Sequence, residues 1–162
     1  MAYDPRAAVT YAHQWAYGRN PLYANFENMG GDCTNFISQC LYAGCGVMNY
    51  TKDTGWYYRS LQDRAAAWTG VTYLYNFLVR NQGRGPYGRE AALGEAVPGD
   101  IVQLRFGPGQ PYGHSLLVVQ AGPHPGPEDV LIATHTYDAD WRPLSTYRYY
   151  TYRVIKILGA RD

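Results

Sequence analysis

In the first half of the chain the hydrophobic positions recur at helical spacing, and from Val97 onward they fall into short runs that read as strands. Residues 5–18 carry Ala8, Tyr11, Ala12, Trp15 and Ala16 at intervals of three and four, with Pro5 near the start and Gly18 at the end. That pattern predicts a helix. Asn20-Pro21 through Gly30-Gly31 has turn chemistry. The strongest pattern follows. Cys33, Phe36, Ile37, Cys40, Leu41 and Gly44 form one apolar stripe, Asp32 stands where a helix N-cap belongs, and Gly44 and Gly46 supply the stop. Aromatic residues crowd positions 56–80, where Val71–Val79 predicts another helix, and Gly83–Gly88 reads as a loop.

The second half punctuates differently. Val97-Pro98-Gly99-Asp100 is a turn leading to a strand at Ile101–Leu104. A Gly/Pro-rich loop over 106–112 precedes a mostly apolar strand at Ser115–Gln120, and a Pro/Gly turn over 121–128 precedes another at Val130–His135. Tyr147–Leu158 alternates, as one long strand or two short ones. Helices first and an antiparallel meander second make the expected class α+β, with the helices on one side of the sheet. No repeat interrupts this order, and residues 1–162 read as a single domain.

Composition narrows the function classes. With 46% hydrophobic and 17% charged residues, the chain is not disordered as a whole. Fourteen Lys and Arg against thirteen Asp and Glu leave a net charge of +1, which argues against phosphate-neutralising nucleic-acid binding and against a polybasic membrane anchor. No apolar run approaches the roughly 20 residues of a membrane span. The start, Met1 to Arg6, shows no signal peptide, so the expectation is a protein acting where it is made, or a mature or excised domain. A monomer is the expected state. Tyrosine supplies 17 of the 25 aromatic residues, which suits glycan or peptide contact as well as ordinary sheet positions. Trp56, Tyr57, Tyr112 and Trp141 are the candidates to line a substrate groove.

Candidate chemistry centres on Cys33. It follows Gly30-Gly31-Asp32 and opens the predicted helix, where free N–H groups and the positive dipole end favour a thiolate. The plain alternative is a small buried hydrophobe. Cys40 lies two turns on, about 10 Å away by helical rise, too far for a disulfide, and Cys45 has no assigned role. These spacings lack the short pairs of structural zinc sites, so neither a metal nor a cofactor is expected. A cysteine nucleophile needs a base, and the base an orienting group. His13 falls inside the first helix and His124 at a turn tip between prolines. His114 precedes one strand and His135 ends the next. If those strands pair as a hairpin the two histidines become neighbours, giving a line in which Cys33 attacks, His114 shuttles the proton and His135 orients His114. Asp138 and Asp140 are rival orienting groups.

Gly31-Asp32-Cys33-Thr34-Asn35-Phe36, Pro98-Gly99-Asp100-Ile101-Val102, Gly113-His114-Ser115 and His135, in that order, resemble the papain-like hydrolases of bacteria, including cell-wall endopeptidases and CHAP amidases. The longer string Gly30–Leu41, with Trp56-Tyr57-Tyr58, Trp68 and His135-Thr136, is most similar to the putative amidase domain family, over about Tyr3 to Ile157. The resemblance implies a nucleophile helix packed on an antiparallel sheet that carries the base. It matches Cys33 to the nucleophile, His114 to the base and His135 to the third polar residue. The implied reaction is amide hydrolysis through a thioester on a peptide, amide or peptidoglycan-like substrate, with the Cys33 backbone N–H as one oxyanion donor and Asn25, Asn28 or Tyr23 as the second. Asp32 is expected to cap the helix. The alternatives are a non-catalytic glycan- or peptide-binding module on the same fold, and a protein-directed deamidase or transferase.

Overall fold

The computed structural model describes residues 2–162; Met1 lies outside the described residues. The chain is α+β. Helix α1 (Pro5–Trp15) is capped by the Asp4 carboxylate, which accepts from the Arg6 and Ala7 N–H groups at 3.0 and 3.2 Å. Its Ala8, Ala12 and Ala16, four residues apart and fully buried, form a smooth stripe on which helix α2 (Cys33–Cys45) can lie close.

The apolar stripe of α2 is only part of its burial, because eleven of its thirteen residues are buried. The helix is wrapped on all sides, and its polar residues are matched. Asn35 bonds the Trp68 indole N–H at 3.0 Å and the Ala24 carbonyl at 3.0 Å. Ser38 bonds the Trp56 indole N–H at 3.0 Å and the Trp68 carbonyl at 2.8 Å. A small hairpin, β1 (Tyr58–Ser60) and β2 (Asp63–Arg64), leads into α3 (Ala66–Thr69) and α4 (Val71–Arg80).

The remaining strands form one antiparallel sheet: β3 (Gly85–Ala91), β4 (Ile101–Arg105), β5 (His114–Gln120), β6 (Leu131–Thr134), β7 (Ala139–Pro143) and β8 (Thr151–Arg161), in spatial order β3-β8-β4-β5-β6-β7. Strands β4, β5 and β6 lie where the hydrophobic runs predict them. The loop expected over Gly83–Gly88 is instead the start of edge strand β3. Its Gly, Pro and charged residues carry little strand preference, and it forms because the eleven-residue β8 offers a long edge to pair with. At Gly88 a Cβ would stand 2.4 Å from the Lys156 carbonyl oxygen, so this close pairing requires glycine.

The sheet has two distinct faces. Ile101, Leu117, Ala133 and Ile155 pack with α1, α2 and α4. Val102, Leu104, Leu116, Val118, Ile132 and Val154 form a second cluster on the other face with Leu93 and Leu144. Among the described residues, no helix is long and apolar enough to cross a membrane.

Candidate active site

The chain enters α2 through Gly30 and Gly31, at φ 98° and 105°, a conformation that residues with a Cβ adopt only under strain. Asp32 does not cap the helix as expected; its side chain makes no cap bond. It turns inward. Oδ1 accepts from the Phe26 N–H at 2.8 Å and from the Asn35 amide at 2.9 Å, and Oδ2 meets His135 Nδ1 at 2.5 Å. Burial pushes this carboxyl upward, but the bonds from His135, Phe26 and Asn35 outweigh it and hold Asp32 below its ordinary value, hence ionised. Because the carboxylate looks away, the first N–H groups of α2 have no side-chain cap and remain available to an arriving oxygen.

Cys33 is 7% exposed, and Thr34 beside it bonds the Ser115 hydroxyl at 2.9 Å. Ser115 follows His114 at the start of β5, so this bond joins the helix start that carries Cys33 to the strand start that carries His114. Burial raises the Cys33 thiol; hydrogen bonding to the Ser115 backbone and to Thr34 pulls it down by less, and the Asp32 charge adds to the rise. Burial thus works against the thiolate expected at a helix N-terminus. His114, also 7% exposed, is pushed down to about 4 by burial and by the Arg142 charge, so its imidazole is neutral at ordinary pH.

His135 and His114 are not neighbours by side chain. Strand β6 ends at Thr134, and His135 begins the turn. Successive strand residues point to opposite faces. With Leu117 opposite Ala133, His135 falls with them on the helix-bearing face, whereas His114 shares the face of Leu116 and Val118. The His135 ring stacks on Phe36 at 4.1 Å, and its Nε2 lies 2.8 Å from the Trp15 carbonyl. It ties α1 to the start of α2 rather than meeting His114. Asp138 and Asp140 do not reach His114 either. Asp138 pairs with Arg19, and Asp140 pairs with His13 at 2.8 Å.

The residue that touches His114 is Thr134, which the sequence reading missed. Its Oγ1 lies 3.4 Å from His114 Nε2 and donates to backbone, with the Ser115 carbonyl at 2.8 Å and the His135 carbonyl at 2.9 Å. With its hydrogen committed there, the hydroxyl oxygen can only accept from the imidazole. Nε2 then carries the proton, and Nδ1 keeps its lone pair. The register that sets Leu117 opposite Ala133 is what puts Thr134, by alternation, on the face of His114.

The other candidates scatter. Trp56 is fully buried with its N–H on Ser38, so it is core and not groove. Tyr57 packs on Tyr50, and Tyr112 lies under the Arg153 guanidinium. Trp141, half exposed, stacks on His13 at 4.2 Å. Asn25 and Asn28 are exposed, and the Asn25 amide oxygen is taken by the Glu27 N–H. Tyr23 stacks on Trp68. His124 sits exposed at its turn, and Cys40 and Cys45 are buried free thiols. A cleft of about 520 Å³ lies along α4, lined by Thr51, Tyr73, Asn76, Phe77 and Arg80 among others; it includes neither Cys33 nor His114. Among the described residues no group of three or more His, Cys, Asp or Glu side chains is arranged to hold a metal.

The family described as "Putative amidase domain" matches residues 2–158. "Uncharacterized protein YhbB" of Bacillus subtilis (strain 168) is similar, 31% identical over 152 residues. That match takes in 93% of this chain but only 45% of the relative, so the chain spans less than half of that protein's length. No solved structure matches the chain.

Proposed function

The chain belongs to the putative amidase domain family, and on that premise we propose that it is a cysteine-dependent amide hydrolase of papain-like arrangement, acting as one catalytic domain. Cys33 is the nucleophile, His114 the base and Thr134 the group that sets the imidazole's tautomer. The observation that supports this reading is the Thr34–Ser115 bond, which joins the uncapped helix start carrying Cys33 to the strand start carrying His114.

Two neutral partners favour concerted chemistry over a preformed ion pair. As sulfur attacks the amide carbon, the thiol proton passes to His114 Nδ1 and the carbonyl π pair moves to oxygen. The uncapped N–H groups at the start of α2 face that negative charge. Collapse breaks the C–N bond; the amine leaves with the proton from His114, and an acyl thioester remains on Cys33. Water, deprotonated by His114, then attacks the thioester and releases the acid and the thiol. The substrate class is a peptide amide, including the peptides of peptidoglycan. His135 and Asp32 hold the helix start in place and take no proton in this scheme.

Purified chain incubated with peptide amides and muropeptides tests the reading. Turnover should be lost in Cys33→Ala and strongly reduced in His114→Ala, with both variants folded. Wild-type turnover by Cys33→Ala would remove the proposal.

A further inference from the structure

Tyr147 lies outside every motif in the sequence. It follows the short turn Leu144–Thr146, ahead of β8, on the sheet face that carries His114. Its ring centroid stands 6.0 Å from that of His114. Its hydroxyl oxygen is buried and has no hydrogen-bond partner among the described residues. The Arg142 guanidinium lies across the ring, 3.7 Å from the centroid, and donates to Thr146 Oγ1 at 2.7 Å and to the Thr146 carbonyl at 3.2 Å. Its charge and its N–H groups act on the phenol oxygen from that side and pull the phenol down, so what has no acceptor is the hydroxyl's own hydrogen. The Cys33 sulfur is near enough that its charge would act on the phenol.

A buried hydroxyl without a partner weakens a fold, and phenylalanine would fill the same space without that cost. An orphan donor beside a nucleophile and a base has a use only when something arrives to accept from it. Burial raises the phenol, ahead of the opposing charge and hydrogen bonding of Arg142, so it keeps its proton and can donate.

We propose that the Tyr147 hydroxyl is the second oxyanion donor, completing the set begun by the backbone at Cys33. The assignment rests on the cysteine-hydrolase reading above. As sulfur attacks, the π pair of the substrate carbonyl moves to oxygen, and the Tyr147 O–H donates a hydrogen bond to that oxygen while keeping its proton. It replaces Asn25, Asn28 and Tyr23, the donors expected from sequence. The exposure of the two asparagines and the stacked position of Tyr23 favour none of them.

The test compares two reactions of Cys33 in wild type and Tyr147→Phe. Acylation by 4-nitrophenyl acetate builds charge on a carbonyl oxygen, and alkylation by iodoacetamide displaces iodide with no oxyanion. Losing one oxyanion donor typically costs about 10²–10³-fold, so acylation of Cys33 should fall by that order while alkylation keeps the wild-type rate. The thermal midpoint should stay level or rise, since the orphan hydroxyl is gone. Equal acylation rates in both proteins would overturn the assignment. So would a parallel loss of alkylation, which would mark a structural role. If wild type is acylated and Cys33→Ala is not, the cysteine reading stands whichever way Tyr147→Phe falls. If wild type takes no acyl group at Cys33, that reading and this assignment fall together.

Discussion

Replacing His135 separates two roles that sequence alone left merged. In the structure His135 is 1% exposed and Asp32 fully buried, and they meet at 2.5 Å with the carboxylate ionised. His135→Ala removes this partner and the Phe36 stack, and leaves the buried carboxylate with the Phe26 N–H, the Asn35 amide and the longer 3.5 Å pair to Arg19 Nε. Breaking a buried pair from one side typically costs about 3–5 kcal/mol. In a chain of this size each kcal/mol lowers the thermal midpoint by roughly 2–4 °C, so a fall of roughly 6–20 °C is expected. Asp32→Asn should be costly too, because it strands the imidazole between the amide and the Trp15 carbonyl. The double variant should cost clearly less than the sum of the singles, since each leaves the other's partner unmatched. Urea unfolding of the four proteins at pH 7 measures this cycle. The reasoning is refuted if each single variant loses under about 1 kcal/mol and the two simply add. It also fails if His135→Ala keeps wild-type stability yet shifts the pH profile of turnover, the signature of a residue that orients the base.

Other outcomes follow from the same geometry. Because His114 is held at about 4, below the ordinary 6.5, it is neutral in the fold while the unfolded chain takes up a proton between those values. Its contribution to stability is complete above pH 6.5 and is lost as pH falls towards 4, by up to ~3 kcal/mol. Urea midpoints at pH 7 and 4.5 should converge in His114→Leu relative to wild type, and an unchanged difference would contradict the burial argument. The acid limb of kcat/KM should lie near 4 rather than 6.5, read from a pH–rate profile. Thr134→Val should lower kcat by roughly five- to tenfold, the worth of one ordinary hydrogen bond, and Thr134→Ser should restore it. Gly31→Ala places a Cβ at φ 105°, 3.3 Å from the Thr136 hydroxyl that bonds the Asp32 N–H, and should cost about 1–3 kcal/mol in a denaturation curve.

Much of the scaffold was legible because burial and period agree. The 3.6-residue stripe from Cys33 to Gly44 announced α2, and the apolar runs at Ile101 and Ser115 announced β4 and β5. Strands β3 and β7 were not legible, since their Gly, Pro, Trp and charged residues do not alternate and they pair by following a neighbour's edge. At β7, Trp141 even adopts φ 55°. The placement of Cys33 and His114 at adjoining element starts followed from motif order. The contact between His114 and Thr134 did not, because placing His135 opposite His114 shifts β6 by one residue against β5, which moves Thr134 and His135 to each other's faces. The burial that works against a thiolate at Cys33 was not legible either: a helix N-terminus is visible in sequence, but desolvation depends on everything packed around the residue. Tyr147 had no signal at all, since nothing in a sequence marks a hydroxyl as unpartnered.

The central claim is that Cys33 forms an acyl bond with His114 as its base. Treating the chain with 4-nitrophenyl acetate and mapping the acetyl group by peptide mass tests it most directly. The account predicts a hydroxylamine-labile thioester on Cys33, formed much more slowly in His114→Ala, with Cys40 and Cys45 untouched in the folded protein. An acetyl group found only on other side chains, or on Cys33 at the same rate without His114, would contradict it.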